Sequence, residues 1–113
     1  MHCRGIAGAD GNKGKVTIGY VPWDSEIAST NVLKQVYEKA GYEVELKAVD
    51  AGPLYQAVAD GKVDCTISAW LPATQASYWS KYGSDIDQVR HNLDDAKVGL
   101  VAPNYVTVTR STR

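Results

Sequence analysis

The chain has few residues that could carry covalent, redox or metal chemistry. Its 113 residues include two cysteines, two histidines, one methionine and no phenylalanine. His2 and His91 lie in predicted loops, and neither has a cysteine or carboxylate partner at metal-ligand spacing. No glycine-rich phosphate loop follows a predicted strand. The sequence therefore indicates no metal, no cofactor and no enzyme active site.

Charge of one sign and long apolar runs are also missing. The net charge is −1, and without a basic run a nucleic-acid surface has no electrostatic basis. No apolar run reaches the length of a membrane span. The first fifteen residues are too polar for a signal peptide. We expect residues 1–14 to form a flexible leader and residues 15–113 a single domain, because 44% hydrophobic and 22% charged residues are typical of a globular chain.

The two cysteines have different expected environments. Cys65 lies inside an apolar run, where an unpaired cysteine usually packs as a small buried hydrophobe. Cys3 lies in the leader, without the apolar residues that precede a lipid-anchor cysteine. A disulfide between a core residue and a leader residue is not expected.

Strand and helix patterns alternate along the chain. The predicted strands cover residues 15–20, 42–49, 63–69 and 97–102, with a possible fifth over 105–108. The predicted helices cover residues 26–40, 53–60 and 74–82, each followed by glycine, with a further helical turn over 84–89. The predicted fold class is α/β, with a parallel-dominated sheet of strand order 2-1-3 and helices on both faces.

Three finer signals place the helix ends and faces. Asp24 or Ser25 can cap the first helix, since their side-chain oxygens accept from its free N–H groups. Pro53 suits the first position of the second helix. The predicted apolar stripe of the first helix consists of Ile27, Val32, Leu33, Val36, Tyr37 and Ala40.

Two tryptophans follow predicted strands. Trp23 comes after the first strand and Trp70 after the third. In a 2-1-3 sheet these strands are neighbours, so both rings should face one crevice at their carboxyl ends. A tryptophan face attracts a cation by about 2 kcal/mol when water is excluded, which suits a quaternary ammonium group. Core packing is an equally weighted alternative for each ring, and it is the expectation for Trp79.

The residues beside the two rings form a predicted site rim, namely Asp24, Ser25, Glu26, Ala69 and Leu71. The two acidic residues have a simpler interpretation, because carboxylates in the first turn of a helix stabilise its dipole. Attraction for a cation is the less favoured alternative.

Several motifs occur in order at a specific spacing: VTIGYVPWDSEIASTNV over 16–32, DAGPLY over 50–55, VD…SAWLP over 63–72, Y…KY over 78–82 and DAKVGLVAP over 95–103. They resemble the glycine betaine/proline betaine-binding proteins of osmoprotectant ABC importers over about residues 15–108. The resemblance implies a type II periplasmic-binding fold, in which two α/β lobes close on the ligand. It also implies a tryptophan cage, with Trp23 and Trp70 as two walls and a third tryptophan in the other lobe.

The resemblance sets further expectations. The chain corresponds to the first lobe, with the second lobe missing and a tail unlike the expected continuation. Expected ligands are glycine betaine, proline betaine, carnitine or choline, and the expected partner of the full-length form is a cognate ABC permease. The expected location is extracytoplasmic, at the membrane through the transporter or a lipid anchor. The lobe alone should bind ligand weakly and can self-associate through an uncovered apolar interface.

Two alternatives stay open. The chain can be a receptor-like lobe used as a sensor, or a fragment that binds nothing. It can also be a small hydrolase using Cys65 or Ser68, although both lie in a predicted strand with no base nearby. Thiol labelling of the folded protein separates the hydrolase from the binding domain, since a catalytic thiol reacts and a buried one does not.

Overall fold

The structure is a computed structural model that describes residues 13–107. Within this range the chain is α/β, and its elements are β1 (Lys15–Tyr20), α1 (Asp24–Lys39), β2 (Glu43–Ala48), α2 (Ala51–Ala59), α3 (Ala76–Tyr82) and a 3-10 turn (Gly83–Asp85). The chain is already held at Lys13, whose N–H donates to the Gly41 carbonyl at 2.8 Å. Most of the predicted leader, with Cys3, and the end of the predicted fifth strand lie outside the described residues.

The strand β1 is the centre of the fold. It pairs in parallel with β2, with Ile18 opposite Leu46. Val16 and Ile18 are buried on the face that packs against α1. Val21, just after β1, packs on the other side against α2, where Leu54 is fully buried. Helices therefore cover both faces of β1, as the alternating pattern predicts.

Gly19 lets α2 approach β1 closely. A Cβ atom at this position would overlap the Leu54 side chain and lie 2.9 Å from Cγ1 of Val63. The absence of a side chain at residue 19 is thus a packing requirement of this face of the sheet.

The predicted third strand over 63–69 is largely replaced by irregular chain. It meets β1 in one parallel bridge, Ile18 to Cys65, with the Gly19 N–H donating to the Cys65 carbonyl at 3.0 Å. Beyond the bridge, the Ser68 N–H donates to Oγ1 of Thr66 at 3.1 Å. Side-chain bonds of this kind compete with a strand ladder. The strand prediction is wrong over most of its length, and the 2-1-3 sheet is not confirmed.

The predicted strands in the last part of the chain are also wrong. No strand is present over residues 97–107, where Leu100, Val101 and Tyr105 are exposed. Strand propensity reflects packing on a pleated, half-buried surface, and these residues have no such surface in the described structure. The predicted helical turn over 84–89 is reduced to the 3-10 turn Gly83–Asp85.

The start of α1 differs from the prediction. Trp23 is the N-cap residue and makes no side-chain cap hydrogen bond, while Asp24 and Ser25 are already inside the helix. Neither side chain therefore caps α1. Likewise α2 begins at Ala51, so Pro53 is its third residue and not its first.

The buried face of α1 is more polar than the predicted apolar stripe. Glu26 and Thr30 are its buried residues, and Leu33 and Tyr37 pack partly against the β1 core. The other members of the predicted stripe are exposed: Ile27, Val32, Val36 and Ala40. None of the helices described within residues 13–107 is long and apolar enough to cross a membrane.

Candidate ligand-binding site

Trp23 and Trp70 lie in contact at one end of β1. Their ring centroids are 5.1 Å apart and the ring planes are inclined by 71°, an edge-to-face arrangement. This geometry is favoured because the positive edge of one ring meets the negative face of the other. The residues are 39% and 43% exposed, respectively. The two loops therefore present a single aromatic pair that is accessible from solvent.

The backbone beside this pair is joined by Ser68. The Val21 N–H donates to Oγ of Ser68 at 3.4 Å, and both residues are buried. Val21 lies two residues before Trp23, and Ser68 lies two residues before Trp70. This bond holds the two loops together at the base of the aromatic pair.

Gln75 fixes the loop that follows Trp70. Its Oε1 accepts from the Trp70 backbone N–H at 2.9 Å and from the Tyr55 hydroxyl at 3.0 Å. The backbone N–H of Gln75 donates to the backbone carbonyl of Trp70 at 3.0 Å. Gln75 is only 2% exposed, and burial raises the pKa of Tyr55 to about 12. The loop over residues 70–75 is therefore anchored to α2 through Tyr55.

Glu26 holds the Trp70 ring itself. The indole Nε1–H of Trp70 donates to Oε1 of Glu26 at 2.8 Å. Glu26 is 6% exposed and lies in the first turn of α1, where the helix dipole favours a negative charge. Its Oε2 is buried and has no hydrogen-bond partner among the described residues. A carboxylate is thus buried at the edge of the aromatic pair.

The other predicted rim residues lie beside the rings in sequence. Asp24 and Ser25 are exposed in the first turn of α1. Ala69 is exposed and Leu71 is half-buried, on either side of Trp70. Their role as a rim stays a prediction, whereas Glu26 is brought into direct contact with Trp70.

Trp79 lies away from the pair, on α3. Its ring packs on Gly83, where a Cβ atom would be 2.8 Å from Cε2 of Trp79. The residue is half-buried, and α3 contributes no fully buried residue. Trp79 therefore packs on a residue of its own unit, and it is half-buried and outside the core clusters.

A shallow groove of about 310 Å³ lies at the carboxyl ends of β1 and β2. Its lining consists of Pro22, Ala48, Val49, Asp50 and Pro53. Pro22 precedes Trp23 in the chain, but neither Trp23 nor Trp70 lines the groove. Ligands of open α/β sheets bind at this end of the strands.

Cys65 and Ser68, the two candidate nucleophiles, are both fully buried. Among residues 13–107, no group of three histidine, cysteine, aspartate or glutamate side chains could hold a metal ion.

Sequence reasoning missed the part played by Gln75 and the contact between Glu26 and Trp70. One signal for Glu26 was available, because Glu26, Thr30, Leu33 and Tyr37 follow the helical spacing of a single face. No comparable pattern singles out Gln75, since its partners are backbone and side-chain groups in other parts of the chain.

An α/β unit with exposed aromatic residues at the carboxyl ends of its strands is typical of a small-molecule binding domain. Comparison with known proteins gives the family. The OpuAC family, the substrate-binding domain of an ABC-type glycine betaine transport system, matches residues 14–111. The chain belongs to this family, which confirms the resemblance seen in the motifs. The family is one of transport substrate-binding proteins and not of enzymes.

Individual relatives agree with this assignment. The glycine betaine/carnitine transport binding protein GbuC of Listeria monocytogenes serotype 1/2a (strain 10403S) is 39% identical over 103 residues, covering 91% of this chain. The match covers 34% of the Listeria protein, so the chain spans about a third of that relative's length.

Two crystal structures show the same fold. Lactococcal OpuAC, in a closed-liganded form complexed with glycine betaine, matches with a TM-score of 0.63 and 44% identity, over 66% of this chain and 29% of its own. The glycine/betaine/L-proline-binding protein ProX of Borrelia burgdorferi matches with a TM-score of 0.60 and 46% identity, over 62% and 26%. The matched part of the chain therefore has a periplasmic-binding-protein fold.

Proposed function

We propose that this chain binds a quaternary ammonium osmoprotectant through Trp23 and Trp70, as part of the solute-binding component of an ABC importer. The observation that carries the proposal is the exposed aromatic pair, with ring centroids 5.1 Å apart. The wider role places the chain outside the cytoplasm, working with a cognate permease.

The geometry of the pair suits a trimethylammonium head group. Such a group has no N–H to donate, so π faces and dispersion must hold it. Two ring planes inclined by 71° can each present a face to the same round group. The family and the named relatives support this ligand class, because the lactococcal structure contains glycine betaine and the Listeria protein is named for glycine betaine and carnitine. Glycine betaine, proline betaine, carnitine and choline are the candidates.

The affinity of the chain alone should be low. Each ring contributes about 1–2 kcal/mol while the site stays open to water. Their sum of about 2–4 kcal/mol corresponds to a dissociation constant between about 30 mM and about 1 mM. A micromolar complex would need about 8 kcal/mol, which two open rings do not supply.

The experiment is a titration of verified monomer with the four candidate ligands, followed by chemical-shift changes because the affinity is low. Trp23→Ala and Trp70→Ala should each weaken glycine betaine binding at least fivefold, because each removes a cation–π partner. Trp79→Phe is the matched control and should leave the affinity within twofold. Binding unchanged within twofold in both alanine variants would refute the proposal. A micromolar dissociation constant for the unaltered chain would refute the open two-ring account.

A further inference from the structure

Glu26 differs from every other predicted rim residue because its carboxylate is buried and touches an aromatic ring of the site. We propose that Glu26 is a positioning and charge-selecting residue. It holds the Trp70 indole against Trp23, and its negative charge makes the pair prefer a cation to a neutral molecule of the same shape. The inference rests on the proposed function and deepens it.

The Glu26 side chain is a buried carboxylate. Burying a charge costs free energy unless hydrogen bonds and nearby dipoles compensate it. The Trp70 indole N–H supplies one bond to Oε1 at 2.8 Å, and the N-terminus of α1 supplies a favourable dipole. A glutamine could accept the same bond without the charge. The positioning of Trp70 alone therefore does not require a glutamate.

Glu26 Oε2 is buried without a hydrogen-bond donor among the described residues. No cationic side chain is paired with Glu26 in the described part of the chain. The negative charge is therefore available to act on a cation at the rings, through a medium less polar than water. Asp24, only two residues away, is exposed and its field is screened by solvent and salt.

A hydrogen bond to a carboxylate polarises its donor, and coupled polar groups strengthen one another. Donation from Nε1–H shifts electron density toward the indole π system of Trp70. Since the attraction of a cation depends on the negative charge of the ring face, the bond to Glu26 strengthens that face as a cation partner.

Charge selection is tested by comparing choline, a cation, with 3,3-dimethylbutan-1-ol, the neutral molecule of the same shape in which tert-butyl replaces trimethylammonium. Dissociation constants come from fits of the Trp70 indole shift over each full titration, with the limiting shift fitted separately for each ligand and variant. In Glu26→Gln, which keeps the acceptor, the preference for choline over the neutral alcohol should fall at least fivefold. Glu43→Gln, at an exposed glutamate of β2, is the control and should leave the preference within twofold. An unchanged preference in Glu26→Gln would overturn the proposal, because a merely structural role weakens both ligands together.

Positioning is tested without ligand. Two indoles in contact give an exciton couplet in the far-ultraviolet circular dichroism spectrum. The couplet should persist in Glu26→Gln and Trp79→Phe and should be lost in Glu26→Leu. An intact couplet in folded Glu26→Leu would overturn positioning.

Glu26→Gln gives a second readout that does not depend on the leucine variant. Its Trp70 indole proton should move upfield, because a neutral acceptor makes a weaker bond than a carboxylate. An unmoved proton would refute the Glu26–Trp70 bond. The highest glycine betaine concentration is about 100 mM, which is about three times the weakest expected dissociation constant. If the Trp70 indole peak of the unaltered chain does not shift at this concentration, the proposed function fails and charge selection fails with it. The couplet and the indole proton still decide positioning on their own.

Discussion

Replacing Gln75 by leucine should destabilise the fold strongly for a loop residue. Leucine has a similar size but offers no acceptor. The substitution leaves two donors without a partner, the Trp70 backbone N–H and the Tyr55 hydroxyl, which now lie 2.9 and 3.0 Å from Oε1. The loop that carries Trp70 would therefore lose its anchor on α2.

The magnitude follows from those two donors. Each buried donor left unpaired costs about 1–3 kcal/mol, or about 2–6 kcal/mol for both. Removing Gln75 also removes its Nε2, which is buried without a hydrogen-bond partner among the described residues. That relief offsets about 1–2 kcal/mol. With mid-range values of about 4 kcal/mol lost and about 1.5 kcal/mol recovered, the net loss of unfolding free energy should be about 2.5 kcal/mol, a large part of a small domain's stability.

Equilibrium urea unfolding measures this loss of unfolding free energy. A double-mutant cycle with Tyr55→Phe shows how much of the loss comes from the hydrogen bond between Tyr55 and Gln75. Tyr55→Phe in the unaltered chain should cost about 0.5–1.5 kcal/mol, because one hydrogen bond is lost. In the Gln75→Leu background the same change should be neutral or stabilising, since it removes an orphaned hydroxyl. Equal costs in both backgrounds would refute the shared-acceptor reasoning. So would a Gln75→Leu variant within about 0.5 kcal/mol of the unaltered chain.

Two further predictions concern the core. Gly19→Ala should lower the free energy of unfolding by about 1–3 kcal/mol through overpacking. Gly99→Ala is the control, because its Cβ meets nothing within 4 Å, and it should change the free energy of unfolding by no more than about 0.5 kcal/mol. Equal urea midpoints for the two variants would contradict this. Burial raises the pKa of Tyr55 from 10.0 to about 12. Between pH 10.0 and about pH 12, the unfolded chain has lost the Tyr55 proton and the folded chain keeps it. The free energy of unfolding therefore falls as the pH rises, by up to about 2.7 kcal/mol. Comparing urea unfolding of Tyr55→Phe and the unaltered chain from pH 9 to about pH 12 isolates this slope, and identical slopes would count against it.

The regular elements near the start of the chain were predictable because their patterns are local. The apolar run of β1 and the alternation of β2 predicted both strands to within a residue at each end. Gly41 and Gly61 follow α1 and α2 with positive φ angles of 97° and 71°, the backbone conformation that a glycine after a helix indicates.

The later strands were not predictable from the same signals. Residues 97–102 are at least as apolar as β1, yet they form no strand. A strand needs a neighbour to pair with and a surface to pack on, and neither requirement is written in the strand's own residues.

The candidate site was predictable only as far as topology reaches. Chain order predicted that Trp23 and Trp70 would meet, and the rings are in contact. Topology does not show which side chains hold the rings, because hydrogen bonds between distant residues leave no periodic trace. The hydrogen bonds that Glu26 and Gln75 make to Trp70 were therefore visible only in three dimensions.

The central claim is that Trp23 and Trp70 form one cation site, and the indole N–H resonances test it most directly. The chain has three tryptophans, so a ¹H–¹⁵N spectrum contains three indole peaks, assigned by single phenylalanine substitutions. On titration with glycine betaine, the Trp23 and Trp70 peaks should move with one common dissociation constant, while the Trp79 peak stays in place. Movement of the Trp79 peak to the same extent, or fitted constants for Trp23 and Trp70 that differ, would contradict a single site at this pair.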